Sequence, residues 1–130
     1  MARVLLVDDD PAQISVWKLL LEACGHQIES AETLPSAVEK LSVVEPEVLL
    51  MDLRLPELKD GLMLIRKARE TSPAKIIVLS GWPRDLESLP EVKLVDRVLA
   101  KPVRPNTLLR HITELVVAAS ACYGIFLALA

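Results

Sequence analysis

The sequence predicts an α/β fold in which five strands alternate with five helices around a parallel sheet. Runs of aliphatic residues at 4–7, 48–51 and 76–79 suit strands that are buried on both faces. Segments with apolar residues at helical spacing separate these runs, and such alternation is typical of a parallel sheet covered by helices on both faces. The 130 residues are enough for one domain with a hydrophobic core and too few for a (β/α)8 barrel.

In the first half, strand 4–7 leads to a helix that starts at Pro11 and stops before Gly25, since a glycine suits a helix end. A weaker strand is predicted at 27–31, and a second helix follows it. The apolar stripes of these two helices consist of Ile14, Trp17, Leu20 and Leu21 and of Leu34, Val38 and Leu41.

The second half repeats the alternation. Strand 48–51 precedes a third helix that ends at Ser72 and Pro73, and strand 76–79 precedes a short helix over 85–92. A weaker strand at 97–100 leads to a last helix that begins near Pro105. The apolar stripes of the third and last helices consist of Leu62, Ile65 and Ala68 and of Leu108, Leu109, Ile112, Leu115 and Val116.

We predict one domain over 1–118, followed by an apolar tail over 119–130. The last 16 residues, from Leu115 onward, carry no charge. Because a membrane span needs about 20 apolar residues, we expect no span here. The tail is interpreted either as a helix extension or linker or, preferably, as an apolar surface for self-association.

Composition and charge exclude some functions. A net charge of -3 and an aromatic content of 3% argue against direct binding of nucleic acid. Cys24 and Cys122 lack the spacing of metal ligands and are predicted to be buried structural residues. Since no secretory signal is visible, the expected location is cytoplasmic.

Polar residues follow the predicted strands at their carboxyl ends, which meet at one edge of a parallel sheet and form its ligand crevice. The residues at these positions are Asp8, Asp9 and Asp10 after the first strand, Asp52 after the third, Ser80 after the fourth and Lys101 after the fifth. Asp10 is expected to cap the helix at Pro11. The other residues are predicted to share one site.

The carboxylates of Asp8, Asp9 and Asp52 would repel one another. Two such charges about 4 Å apart repel by about 4 kcal/mol at an effective dielectric constant of about 20. The cluster therefore needs a cation or a raised pKa, and Mg²⁺ is the first choice for oxygen ligands. A carboxylate beside a metal ion, an ammonium group and a hydroxyl group is suited to accept a phosphoryl group.

These residues lie in motifs that resemble the receiver domains of two-component response regulators, over roughly residues 3–117. The motifs are VLLVDDDP at 4–11, MDLRLP at 51–56 with Asp60 and Gly61 following, LSG at 79–81 and KP at 101–102. The resemblance implies a flavodoxin-like doubly wound (βα)5 fold with a parallel five-stranded sheet in the order 2-1-3-4-5. It also implies a phosphorylation-dependent signalling switch rather than an enzyme that turns over a small substrate.

The resemblance assigns a role to each matching residue. Asp52 would be the phosphoacceptor, and Mg²⁺ would be bound by Asp8, Asp9, Asp52 and the backbone carbonyl of Arg54. Lys101, across a cis bond to Pro102, would bind the phosphoryl group together with Ser80, and Ser80 would report phosphorylation to the surface.

The resemblance also implies partners. The phosphodonor would be a sensor histidine kinase or a histidine phosphotransfer protein. A second copy of the chain is the other partner considered, bound through the face of helix 4, strand 5 and helix 5 or through the tail.

The chain departs from the family pattern near the site. The segment between Pro56 and Gly61 holds one residue more than is common, so its conformation is left open. Val98 stands where the family usually has the Tyr or Phe that moves with the switch hydroxyl, so the switch must use other packing. Trp82 is interpreted either as a gate to the site or as a loop residue that packs beside Pro83.

Other functions remain under consideration. One is a receiver-shaped binding module that is never phosphorylated, which Val98 keeps open. Another is a phosphohydrolase of the haloacid dehalogenase type, which Asp8 and Asp10 suggest but Ala12 and the short chain disfavour. A flavodoxin is disfavoured because the acidic first loop would repel the phosphate of a flavin.

Overall fold

The computed structural model describes residues 2–116, which form a parallel sheet of five strands between two layers of helices. The elements are β1 (Arg3–Val7), α1 (Pro11–Ala23), β2 (Gln27–Ala31), α2 (Leu34–Val44), β3 (Val48–Asp52), α3 (Leu58–Thr71), β4 (Lys75–Ser80), α4 (Arg84–Glu87), a 3-10 helix (Pro90–Leu94), β5 (Arg97–Ala100) and α5 (105–116). The strand order is β2-β1-β3-β4-β5. The predicted fold class and strand order are therefore confirmed. The predicted boundary at 118, the tail and Cys122 lie outside the described residues.

The core of the described residues has a part on each face of the sheet, because successive strand residues point to opposite faces. Leu5 and Leu49 pack against α2 and α3, whereas Val4 and Leu50 pack against α1 and α5. All four are fully buried. Burial on both faces explains why the strands read as continuous apolar runs.

The first helix begins and ends as the sequence predicts. The side chain of Asp10 accepts a hydrogen bond of 3.0 Å from the backbone N–H of Ala12, and Pro11 occupies the first helical position. After the helix, Gly25 has a φ of 90°, a conformation that favours glycine. The cap keeps Asp10 at the start of α1.

Two expectations are corrected. The helix predicted over 85–92 is divided into α4 and the 3-10 helix, because Pro90 lacks an N–H group and forces Leu89 into an extended conformation. Cys24 is exposed rather than buried, since it follows α1 as the residue at its carboxyl-terminal cap. Within the described residues, no helix is long and apolar enough to cross a membrane.

Candidate functional site

Backbone hydrogen bonds continue the sheet for one residue beyond three of the strands and so fix the positions of the polar residues. The N–H of Asp8 donates to Ala31 at 3.2 Å, and that of Leu53 donates to Leu79 at 3.1 Å. The N–H of Lys101 donates to the carbonyl of Ser80 at 2.8 Å. The loops after β1, β3 and β5 therefore leave the sheet at defined points of one edge.

Three carboxylates meet at this edge, as the sequence predicts. Asp8, Asp9 and Asp52 each offer an oxygen, and these oxygens all lie within 4.8 Å of one another. They line a cavity of about 590 Å³, whose wall on the side of α1 is formed by Gln13 and Trp17. Three carboxylates at this spacing form a donor set that fits a hard divalent cation.

Lys101 provides a positive charge inside the site. Its Nζ donates to Oδ2 of Asp52 at 3.0 Å, and the exposed fractions of the two side chains are 34% and 17%. The peptide bond between Lys101 and Pro102 is cis, as the resemblance implied. The ammonium is therefore in direct contact with the Asp52 carboxylate, and both side chains line the cavity.

Asp8 is the most buried carboxylate of the cluster, with a relative exposure of 5%. Burial raises the pKa of Asp8, and the charges of Asp52 and Asp9 raise it further. The N–H of Asp10, which donates to Oδ1 of Asp8 at 2.9 Å, and the charge of Lys101 act in the opposite direction. Since burial is the largest cause, the charged form of Asp8 costs free energy in the folded protein.

We therefore expect Asp8→Asn to stabilise the folded protein at pH 7 in the absence of divalent cations, by about 1 kcal/mol. The asparagine carbonyl can still accept the bond from Asp10, so the substitution removes mainly the charge. The pKa of Asp8 is higher in the folded than in the unfolded state. The free energy of unfolding of the native chain therefore falls as the pH rises from the unfolded to the folded pKa value. The Asp8→Asn variant should not show this decrease.

Urea unfolding of the native chain and the variant over a range of pH, with and without Mg²⁺, measures these effects. Mg²⁺ should stabilise the native chain more than the Asp8→Asn variant. Asp10→Asn is the matched control, because Asp10 is exposed and asparagine caps a helix equally well. A native chain whose stability is unaffected by Mg²⁺ would contradict the proposed role of the cluster.

Ser80 lies at the end of β4, opposite Ala100 of β5, and is 3% exposed. Its Oγ accepts a hydrogen bond of 3.0 Å from the backbone N–H of Trp82, so the hydroxyl is held by the loop that follows β4. Val98 is partly buried and packs against the core on the side of α2 and α3. The switch roles predicted for Ser80 and Val98 stay predictions.

Sequence reasoning missed the side chain of Arg54, for which only the backbone carbonyl was given a role. Its guanidinium forms a hydrogen-bonded ion pair with Asp85 of α4, and its Cζ lies 5.7 Å from the centre of the Trp82 ring. Trp82 is 66% exposed. The sequence signal for this contact was an Arg two residues after Asp52 and a Trp two residues after Ser80. Whether the two side chains meet depends on the conformations of two loops, which the sequence did not specify.

The segment with the extra residue forms the start of α3. The N–H of Glu57 donates to the carboxylate of Asp60 at 3.3 Å, which ties the first turn to the residue before it. Gly61 then lies directly against the backbone of Leu53. The loop after Asp52 is therefore in backbone contact with α3. The sequence alone did not predict this conformation.

Comparison with known proteins agrees with this geometry. The family model described as the response regulator receiver domain matches residues 4–113. The protein PilH of Pseudomonas aeruginosa is 32% identical over 120 residues, which cover 89% of this chain and 98% of PilH. The transcriptional regulatory protein TrcR of Mycobacterium tuberculosis is 42% identical over 69 residues, but the match covers 53% of this chain and 26% of TrcR.

Two solved structures extend the comparison. The response regulator TrrA of Thermotoga maritima, in complex with Mg²⁺ and BeF, has a TM-score of 0.79 and 26% identity, over 88% of this chain and 99% of TrrA. The signal receiver domain of a response regulator from Bermanella marisrubri has a TM-score of 0.75 and 34% identity, over 88% of this chain and 97% of that domain. With the family match and the acidic site at the strand ends, the chain belongs to the family of response regulator receiver domains.

Proposed function

We propose that this chain is a phosphorylation-dependent signalling switch in which Asp52 accepts a phosphoryl group. The donor would be the phosphohistidine of a sensor kinase or a phosphotransfer protein. The observation that carries the proposal is the position of the Asp52 carboxylate, which lies 3.0 Å from the ammonium of Lys101 and beside the carboxylates of Asp8 and Asp9. Membership of the receiver-domain family supports the same proposal.

In the proposed reaction, an oxygen of Asp52 attacks the phosphorus atom of the donor. The P–N bond of the phosphohistidine breaks, and the imidazole nitrogen keeps its electron pair. Asp52 then carries an acyl phosphate. Lys101, already in contact with Asp52, would turn its remaining N–H donors to the phosphoryl oxygens and neutralise part of their charge.

The metal proposed for the cluster is Mg²⁺, held by Asp8, Asp9, Asp52 and the backbone carbonyl of Arg54. When bound, it would supply positive charge to the phosphoryl oxygens and relieve the repulsion among the carboxylates. Its identity is supported by the all-oxygen donor set and by the Mg²⁺ in the complex of TrrA.

Ser80 would act after the transfer. Its hydroxyl, now the acceptor for the N–H of Trp82, would donate its own proton to a phosphoryl oxygen. A turn of this kind would change the loop between β4 and α4. The phosphohydrolase alternative has less support, because Asp10 serves as the cap of α1 instead of joining the carboxylate cluster.

Incubation of the native chain with acetyl phosphate and Mg²⁺ tests the proposal. Intact-mass spectrometry should show the addition of one phosphoryl group, because the P–O bond to acetate breaks as Asp52 attacks. Removal of Mg²⁺ with EDTA should prevent the addition, and Asp9→Asn should raise the Mg²⁺ concentration that the addition requires. A folded chain that stays unmodified would argue for the binding-module alternative. Equal modification with EDTA would instead contradict the proposed role of Mg²⁺.

A further inference from the structure

One side chain joins the loop after Asp52 to the loop after Ser80. Arg54 forms an ion pair with Asp85 on α4, and its guanidinium lies over the ring of Trp82, 5.7 Å from the ring centre. The N–H of Trp82 in turn donates to Oγ of Ser80. We call Arg54, Trp82 and Asp85 the Arg54 bridge.

The Arg54 bridge has the properties of a contact that can be exchanged. The side chain of Arg54 is 49% exposed and that of Asp85 is 27% exposed, so water and salt screen their attraction. An acyl phosphate on Asp52 would carry about 1.5 to 2 negative charges in place of the single charge of the carboxylate, two residues from Arg54. A guanidinium can bind two phosphate oxygens at once. It therefore binds a phosphoryl group more strongly than it binds a single carboxylate that is screened by water and salt.

We propose that Arg54 changes partner on phosphorylation, leaving Asp85 and Trp82 for the phosphoryl oxygens on Asp52. This inference rests on the proposed function. The exchange would release α4, which is four residues long and is anchored in the core by Leu86. It would also change the exposed face of Trp82, so that a partner could distinguish the two states.

The Arg54 bridge would provide the coupling that Val98 lacks. A valine has no ring that could move into the space vacated by a switch hydroxyl. The bridge instead links the phosphorylated residue to α4 through charge. It also contacts Trp82, which belongs to the loop whose N–H binds the hydroxyl of Ser80. Arg54 is thus a positioning residue for α4 rather than a residue of the transfer reaction.

The two tryptophans of the chain make the inference measurable, because a ¹⁵N spectrum contains one indole signal for each. Trp17 lines the acidic cavity and reports phosphorylation itself. Trp82 reports the bridge, and Trp82→Phe assigns its signal. Spectra are recorded with and without acetyl phosphate and Mg²⁺, and intact mass gives the phosphorylated fraction of each sample.

In the native chain, phosphorylation should move both signals. Arg54→Gln removes the bridge and keeps the backbone carbonyl proposed for the metal. Phosphorylation of this variant should still move the Trp17 signal, but it should leave the Trp82 signal where it was before phosphorylation of the same variant. In Asp85→Asn, the Trp82 signal should be displaced before phosphorylation, towards the position of the phosphorylated native chain. Arg110→Gln removes an exposed ion pair with Glu114 on α5 and should behave like the native chain.

Three results would overturn the exchange of partners. A Trp82 signal that moves equally in Arg54→Gln would show that the loop responds without Arg54, while phosphorylation itself stands. Loss of phosphoryl uptake in Arg54→Gln would place the side chain in the transfer reaction instead of the bridge. A native chain with no added mass and an unmoved Trp17 signal would overturn both this inference and the proposed function.

Discussion

Asparagine at position 52 is expected to abolish phosphoryl uptake from acetyl phosphate while the chain still folds. An amide is a poor nucleophile towards phosphorus, and the other carboxylates of the cluster lack the direct contact with Lys101 that Asp52 has. The substitution also lowers the negative charge of the cluster. Since the Asp52–Lys101 pair is partly exposed, its loss should change the stability by no more than about 1 kcal/mol.

Intact-mass spectrometry of Asp52→Asn after incubation with acetyl phosphate and Mg²⁺ gives the result directly. Thermal unfolding followed by circular dichroism confirms that the variant is folded. Asp10→Asn is the matched control, because it removes a nearby exposed carboxylate and keeps the helix cap, and it should take up phosphate like the native chain. Uptake by Asp52→Asn at the native level would refute the role of Asp52.

Alanine at position 61 is expected to destabilise the fold by about 3 kcal/mol or more. A Cβ atom built on Gly61 would lie 1.7 Å from the carbonyl oxygen and 2.7 Å from the carbonyl carbon of Leu53. These are backbone atoms, which cannot move aside as a flexible side chain can. Because Leu53 follows Asp52, a displaced backbone should also slow phosphoryl uptake.

Urea unfolding compares Gly61→Ala with Gly81→Ala. Among the described residues, no heavy atom other than those of Gly81 and its two chain neighbours lies within 4 Å of a Cβ built on Gly81, so its substitution should change the stability by less than about 0.5 kcal/mol. A native unfolding midpoint for Gly61→Ala would mean that the start of α3 lies farther from Leu53 than the structure places it.

The order of the strands was predicted from the resemblance to receiver domains, whereas the place of the acidic cluster could be predicted from features that are local in the sequence. Strand β3 is apolar from Val48 to Met51, so the location of Asp52 at its end follows from the pattern alone. The carboxyl ends of parallel strands share one edge, and this brings Asp8 and Asp9 to Asp52 without any knowledge of the loops.

Other features depended on contacts between distant loops and could not be predicted. The ion pair between Arg54 and Asp85 joins residues 31 positions apart in the sequence, and neither residue has a local pattern that signals it. The approach of Gly61 to Leu53 depends on the angle at which α3 leaves its loop. The division of the predicted helix at Pro90 had a signal in the sequence, namely the proline itself.

Identification of the phosphorylated residue tests the central claim most directly. Borohydride reduces an aspartyl phosphate to homoserine, which peptide mass spectrometry can locate. After incubation with acetyl phosphate and Mg²⁺, we predict homoserine at position 52, and we predict none when EDTA is present. Homoserine at position 8 or 9 instead, or phosphate on Ser80 without any homoserine, would contradict the assignment of Asp52 as the phosphoacceptor.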